Sequence, residues 1–210
     1  MNKPGKRAAD REKRMAKKNA RNTRGKIVSA AWKLFYEQGY EDTTVEEIIS
    51  LSGTSKGSFY HYFDGKDALL STLSSLFDEK YEELMEELTP EMTAMEQLLF
   101  LNQELFKMIE DSISLDLLAR LYSTQLTTSG EKHLLDHNRI YYKLLRKIIA
   151  KGREDGQLSR TSSVSEMVKL YALCERALLY DWCLCAGEYS LVEYSGRVLP
   201  VFLSSFLPQK

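Results

Sequence analysis

Proline, cysteine and long apolar runs are all scarce in this sequence. Its 210 residues include only four prolines, 11 glycines and three cysteines. Few prolines and glycines leave long stretches that are free to form helices. Apolar residues recur at three- and four-residue spacing, the period of an amphipathic helix, and alternating strand-like runs are missing. The sequence therefore predicts an all-α fold.

The same scarcities exclude several classes of protein. No window approaches the roughly 18 consecutive apolar residues of a membrane-spanning helix, and the charged N-terminus lacks the apolar centre of a secretory signal. We therefore expect a cytoplasmic protein with no membrane partner. Cys174, Cys183 and Cys185 lie in one apolar segment, so no disulfide framework is predicted.

Charge is distributed very unevenly along the chain, although the net charge is only -1. Residues 1–24 carry ten Lys or Arg and two acidic side chains. A basic end of this kind is attracted to polyanions such as DNA. Because residues 1–22 contain almost no large apolar side chains, we expect a disordered basic arm that lies along DNA phosphates. A solvated tail without a function is the alternative.

Three closely spaced helices are predicted in segment 23–66, directly after the arm. The first ends at Gly39, which supplies a left-handed stop. Thr44 and Glu47 form the capping box of the second helix. The turn that follows is short, so the third helix, over residues 56–62, must cross the second sharply, as in a helix-turn-helix.

The third helix has the composition of a DNA recognition helix. Phe59 and Phe63 are four residues apart and should anchor it on the other two helices. Lys56, Ser58, Tyr60 and His61 are then left to face outward. The major groove of DNA admits one helix, whose N-terminal residues reach the base edges. An aromatic run at helical spacing is often only a packed face, and this alternative stays open for Tyr60 and His61.

Three motifs in this region resemble the signature of TetR-type bacterial transcriptional regulators. They are Thr43-Thr44-Val45-Glu46-Glu47-Ile48, the run from Gly53 to Phe63, and Lys66-Asp67-Ala68-Leu69-Leu70. The resemblance implies phosphate contacts at the start of the second helix and at Lys66, and base contacts near the start of the third helix. The predicted DNA-binding residues are Thr43, Thr44, Ser55, Lys56, Gly57, Ser58, Tyr60, His61 and Lys66.

Residues 67–210 are predicted to form a larger helical domain that binds a ligand and dimerises. Asp64 and Thr89 are expected to cap its first two helices. The predicted helices cover about residues 66–88, 90–110, 113–126, 131–151, 163–186 and 190–206. The helix over 163–186 carries two apolar stripes, which implies packing against its own subunit and against a second copy. The last two helices resemble the family's dimerisation pair, and the predicted interface residues are Leu179, Cys183, Leu191, Val198 and Phe202.

Aromatic side chains in this second domain suggest a cavity for a small molecule. The alternative is that these aromatic side chains only fill an ordinary core. Glu175, Arg176 and Asp181 interrupt an apolar helix, so they could pair across a dimer or recognise a polar group of the ligand. The predicted ligand-binding residues are Phe106, Tyr122, Tyr141, Tyr171 and Trp182.

Catalytic and metal sites are weakly indicated by comparison. His133 and His137 are four residues apart on a predicted helix, but a third metal ligand is not identifiable. We therefore predict no metal site and no cofactor. The sequence contains neither a glycine-rich phosphate loop nor a Ser-His-Asp order, so we do not expect an enzyme.

These features together predict a sequence-specific transcriptional regulator. We expect a homodimeric repressor that binds a palindromic DNA operator and is released by a small apolar or amphipathic effector. The alternative is a helical small-molecule binding protein that does not bind an operator. That alternative leaves the basic residues 1–66 unused, and a gel shift with operator DNA separates the two.

Overall fold

The computed structural model of this chain describes residues 22–127 and 132–208. These residues form ten α-helices and two short 3-10 helices, with no strand among them. The all-α prediction is therefore confirmed for the described part of the chain. The chain forms two compact units, and the boundary between them lies between Thr72 and Leu73. The predicted basic arm, apart from its last residue, lies outside the described residues.

The first unit contains four helices joined by short connections. They are α1 over residues 22–38, α2 over Val45–Ser52, α3 over Lys56–Tyr62 and α4 over Lys66–Leu70. Apolar side chains of all four meet in one core. Its members include Ile27, Ala31, Phe35, Ile48, Phe59, Phe63 and Leu69, each at most 4% exposed.

Helices α2 and α3 begin where local side-chain chemistry predicts. The hydroxyl of Thr44 accepts from the backbone N–H of Glu47 at 3.2 Å, and the Glu47 carboxylate accepts from the backbone N–H of Thr44 at 2.8 Å. The Ser55 hydroxyl accepts from the backbone N–H of Ser58 at 3.1 Å. Gly53 ends α2 with a φ of 62°, a left-handed conformation that favours glycine. Caps and stop together fix the short turn between the two helices.

The second unit contains six helices and two 3-10 turns. They are α5 (Leu73–Glu87), α6 (Ala94–Ser112), α7 (Leu115–Thr127), α8 (Ile140–Glu154), α9 (Val164–Leu184) and α10 (Leu191–Leu203), with the 3-10 turns at His133–Leu135 and Ser204–Phe206. Helix α6 packs against α5, α8 and α10, and α9 packs against α7, α8 and α10. These two helices therefore form the centre of the unit.

The predicted helix over 66–88 is two helices. Gly65, not Asp64, is the N-cap of α4, and no side chain caps it. The hydroxyls of Ser71 and Thr72 donate to the carbonyls of Ala68 and Leu69, at 2.7 and 2.5 Å. Such side-chain bonds compete with the helical backbone ladder, which accounts for the interruption before α5.

Two further helices begin later than predicted. Helix α6 starts after Thr93, whose capping box with Glu96 satisfies two backbone N–H groups, so the Thr89-Pro90 start was wrong. The helix expected from residue 131 starts at Ile140. Before it, the Asp136 carboxylate accepts from the backbone N–H of Asn138 at 2.8 Å, a local turn that displaces helix.

Candidate functional site

Helix α3 presents the predicted recognition residues on its open side. Lys56, Gly57, Tyr60 and His61 are exposed, and the Tyr60 side chain is 46% exposed. Phe59 is fully buried and fixes the opposite side of the helix. Ser58 is half-buried. The structure therefore places three exposed polar or aromatic side chains, those of Lys56, Tyr60 and His61, on one short helix that Phe59 anchors.

Lys56 is held by two neighbours on this surface. Its ammonium lies 3.3 Å from a carboxylate oxygen of Glu46 and 6.0 Å from the centre of the Tyr60 ring. Backbone hydrogen bonding and then Lys56 hold the pKa of Glu46 below its ordinary value. Both charged side chains are exposed, so the ion pair is weak and Lys56 can leave the carboxylate at little cost. The sequence motifs did not single out Glu46 as part of this site.

Thr43 and Lys66, which the resemblance assigns to phosphate contacts, also have hydrogen-bond partners within the first unit. Thr43 is only 1% exposed, and its hydroxyl donates to the carbonyl of Gly39 at 2.7 Å. The ammonium of Lys66 donates to the carbonyls of Tyr40 and Glu41, at 2.6 and 3.2 Å. Both side chains thus hold the connection between α1 and α2. Thr44 and Ser55 are exposed, but their hydroxyls cap α2 and α3.

A small cavity of about 50 Å³ lies inside the second unit. Side chains of α5 to α9 and the segment before α8 surround it, and most of them are aromatic or aliphatic. The lining consists of Phe77, Tyr81, Leu105, Phe106, Ile109, Tyr122, Leu134, Arg139, Tyr141, Glu175, Arg176 and Leu179. A cavity that holds one water needs roughly 10–15 Å³ of such space, so in this conformation the cavity has room for a few waters or a small group.

Three of the five predicted ligand-binding residues line this cavity. They are Phe106, Tyr122 and Tyr141. Tyr171 is fully buried and donates to the carbonyl of Leu98 at 2.8 Å. The indole N–H of Trp182 donates to the carbonyl of Tyr189 at 2.9 Å. Because Tyr171 and Trp182 are absent from the lining, the structure gives both a packing role.

Glu175 brings an ionisable group into the cavity wall. The carboxylate accepts from the Asn102 amide at 2.9 Å and from the Tyr141 hydroxyl at 2.6 Å. The residue is only 4% exposed. Burial raises the pKa of Glu175, while the hydrogen bonds from Tyr141 and Asn102, the neighbouring Tyr171 hydroxyl and the charge of Arg176 oppose this shift. Within residues 22–127 and 132–208, Glu175 forms no ion pair, so it is an unpaired acidic group in a wall made mostly of aromatic and aliphatic side chains.

Arg139 is a second ionisable group in the cavity wall, and an ion pair with Asp78 neutralises its charge. The Arg139 guanidinium lies 3.0 and 3.1 Å from the two oxygens of Asp78 and donates to the carbonyl of Ser74 at 2.9 Å. Exposure of these charged side chains is 10% and 17%. This bidentate pair ties the start of α8 to α5. Sequence periodicity could not find it, because the partners are 61 residues apart.

The raised pKa of Glu175 predicts how stability depends on pH. Burial favours the neutral form of Glu175 in the folded state. Its contribution to the free energy of unfolding is therefore complete below the pKa of the unfolded chain, near 4.5, and is lost as the pH rises through the higher pKa of the folded chain. We expect the Glu175→Gln variant to have a higher melting temperature than the native chain at neutral pH. The rise should be roughly 2–4 °C for each ~1 kcal/mol gained in the free energy of unfolding. The advantage should shrink towards pH 4.

Thermal unfolding followed by circular dichroism between pH 4 and 8 measures this effect. Exposed Glu82 of α5 is the matched control, and Glu82→Gln should shift the melting curve equally at every pH. A difference between native chain and Glu175→Gln that stays constant, or grows at acidic pH, would contradict the assignment.

Helices α9 and α10 expose large apolar side chains. On α9 these are Leu173, Tyr180 and Leu184, at 51%, 47% and 66% exposure. Spacings of seven and four residues place all three on one face of the helix. On α10, Val201 is 74% exposed. The second unit therefore has an apolar surface that its own core does not cover.

The predicted dimer contacts only partly coincide with this surface. Leu191 is fully buried and Leu179 is 6% exposed, so both belong to the core of the subunit. Cys183, Val198 and Phe202 are half-buried. Both apolar stripes predicted on this helix pack largely inside the subunit, because Leu178 of one and Leu179 of the other are each at most 6% exposed. The exposed face of Leu173, Tyr180 and Leu184 belongs to neither predicted stripe.

The structure gives little support to a metal site or a reactive cysteine in the described residues. No three His, Cys, Asp or Glu side chains of the described residues are grouped to hold a metal ion. His133 lies in a 3-10 turn, and His137 lies outside any helix. Burial raises the pKa of the Cys174 and Cys183 thiols to about 11, which makes both poorly reactive. Over the same residues, no helix combines the length and apolar character needed to cross a bilayer.

Residues 27–73 match the family model described as bacterial regulatory proteins, tetR family. The fatty acid metabolism regulator protein of Bacillus subtilis (strain 168) is 24% identical over 182 residues, which cover 85% of this chain and 92% of that protein. The transcriptional regulator TtgR of Pseudomonas putida is 34% identical over 71 residues, or 34% of each chain.

Solved structures with the same fold cover nearly the whole chain. FadR from Bacillus subtilis, crystallised in complex with stearoyl-CoA, has a TM-score of 0.66 at 23% identity and covers 86% of this chain and 98% of its own. FadR from Thermus thermophilus, in complex with lauroyl-CoA, has a TM-score of 0.67 at 24% identity, with 89% and 96% covered. At these identities the likeness concerns the fold.

Proposed function

Because this chain is a TetR-type transcriptional regulator, we propose that it is a homodimeric repressor which a small amphipathic effector releases from a palindromic operator. Its place of action would be the cytoplasm, and its role would be binding without catalysis. The observation that carries the proposal is the exposed side of α3. Lys56 and Tyr60 project from a helix whose other side is closed by buried Phe59.

Helix α3 suits a major groove in size and chemistry. A groove about 12 Å wide admits one α-helix. Lys56 can donate to base acceptors or phosphates, while the exposed Gly57 allows close approach of the backbone. Tyr60 and His61 supply further hydrogen-bonding groups one turn later. Family resemblance assigns these positions to DNA contact, and their exposure supports that role.

A second copy of the chain is the proposed partner for the apolar surface of α9 and α10. Leu173, Tyr180 and Leu184 form a seam of the kind that antiparallel or crossed helices bury in pairs. A two-fold dimer covers the same surface on both copies. In such a dimer the two α3 helices would lie about 34 Å apart, one turn of DNA.

The cavity of the second unit is the proposed effector site. Two structural neighbours were crystallised with long-chain acyl-CoA compounds, which makes an acyl compound the first candidate class. A cavity of about 50 Å³ must widen before such a chain can enter. A ligand that binds only the widened form shifts the dimer towards that form, and it lowers operator affinity if the two forms bind DNA differently.

Selection of random DNA by the purified full-length chain tests the proposal. We expect a palindromic sequence to be enriched, and lauroyl-CoA or a related acyl-CoA to weaken binding to it in a gel shift. Linkage requires the operator to weaken binding of that compound by the same factor. Failure to enrich any sequence would refute the regulator, and equal operator affinity with and without bound acyl-CoA would refute this effector class.

A further inference from the structure

We propose that the effector carries a hydroxyl group which binds between Tyr81 and Glu175 in the cavity wall, so that a plain saturated chain is not the preferred ligand. This inference rests on the proposed function, because it takes the cavity as the effector site. It adds a chemical requirement that the structural neighbours do not supply.

The first observation is a buried hydroxyl without a partner. Tyr81 lines the cavity and is only 2% exposed. Its ring packs at 5.1 Å from that of Tyr141, which holds the side chain in place. Among the residues that the structure describes, its hydroxyl oxygen has no hydrogen-bond partner. Buried polar groups in folded proteins are almost always paired, so this hydroxyl is a group that a ligand can satisfy.

The second observation is the acceptor capacity of Glu175 in the same wall. The two oxygens of this carboxylate accept hydrogen bonds from Asn102 and from Tyr141, and the Tyr171 hydroxyl is a further neighbour. A carboxylate has about four lone-pair sites in all, so acceptor capacity remains. The carbonyl oxygen of the Asn102 amide is also buried and unpaired in the described chain. The polar cluster is therefore incomplete as a purely structural network.

A hydroxyl matches these two groups better than other functional groups do. It can accept from the Tyr81 O–H and donate to Glu175 with the same oxygen atom. An ammonium group can only donate, so it cannot accept from the Tyr81 O–H, and the Arg176 guanidinium in the wall opposes a cation. A carboxylate can only accept and would lie beside the Glu175 carboxylate. A methylene group satisfies neither partner and leaves both desolvated.

Matched acyl-CoA compounds test the inference. The probes are dodecanoyl-CoA and its monohydroxylated isomers, with the hydroxyl moved along the chain, and binding to the full-length protein is measured by isothermal titration calorimetry. We expect at least one isomer to bind roughly tenfold more tightly than the unsubstituted parent, the effect of one well-placed hydrogen bond. A parent compound that binds as tightly as every isomer, or a set in which nothing binds, overturns the proposal.

Two single-atom deletions locate the contact. Tyr81→Phe should reduce the preference for the best isomer to about threefold or less while leaving the affinity of the parent unchanged. Tyr122→Phe removes a different hydroxyl from the same cavity and should preserve the preference. A preference that survives in Tyr81→Phe overturns the assignment.

The outcomes for the two proposals are distinguishable. Operator binding is measured by gel shift without any acyl compound, and Tyr81→Phe should leave it unchanged. A protein that selects no DNA but prefers a hydroxylated isomer refutes the regulator alone. A protein that binds its operator and is released best by the saturated parent refutes the hydroxyl requirement alone.

Discussion

Replacing Lys56 and Tyr60 together by alanine should lower affinity for the selected operator at least about a hundredfold, since each base contact is worth roughly 1–3 kcal/mol. Both side chains are exposed on α3, so their removal leaves no cavity in the core. Loss of Lys56 also removes its ion pair with Glu46, which is exposed and contributes little to folding. Fluorescence anisotropy with labelled operator measures the affinity, and circular dichroism checks the fold.

The same two residue types on α1 provide a matched control. Lys33 and Tyr36 are exposed, with Tyr36 81% exposed, and the motifs assign neither to DNA. Lys33→Ala with Tyr36→Ala should leave operator affinity within about threefold, because surface substitutions away from a site have small effects. If both double variants weaken binding equally, or if the α3 variant binds like the native chain, α3 is not the recognition helix.

Replacing Leu184 by glutamate should convert the dimer to monomers and abolish tight operator binding. Leu184 is 66% exposed in one subunit, and in the proposed dimer it lies in the buried seam with Leu173 and Tyr180. Burying an unpaired carboxylate there costs several kcal/mol, so the dimer dissociation constant should rise at least about a hundredfold. Light scattering coupled to size-exclusion chromatography measures the assembly.

An equally exposed leucine on another helix serves as the control. Leu126 of α7 is 72% exposed. Leu126→Glu adds the same charge to the same unit and should leave the assembly dimeric. A Leu184→Glu variant that remains dimeric would show that another surface joins the two subunits.

Local patterns predicted the parts of the fold that depend on neighbouring residues. The capping box of Thr44 and the cap at Ser55 placed α2 and α3 correctly, because such hydrogen bonds span only three residues. The start of α6 was misplaced because Thr89-Pro90 and Thr93-x-x-Glu96 are both plausible starts. The structure uses the second, which satisfies more backbone donors.

Features that depend on residues far apart in the chain were harder to predict from the sequence. The phosphate contact that the resemblance assigns to Lys66 stays a prediction, but the sequence did not show that its ammonium donates to the carbonyl of Tyr40, 26 residues away. The Glu175 cluster combines groups of α6, α8 and α9, and no spacing in the sequence connects them. Similarly, the predicted stripes on α9 include Leu179 but not Leu184, whereas packing buries Leu179 and leaves Leu184 exposed.

Operator spacing tests the central claim, that two copies of α3 read two half-sites from one face of DNA. We predict half-sites whose centres are about 10 base pairs apart, so insertion of about five base pairs turns one of them to the opposite face. Affinity in a gel shift should then fall to that of a single half-site. Unchanged affinity for the spaced operator would contradict the account.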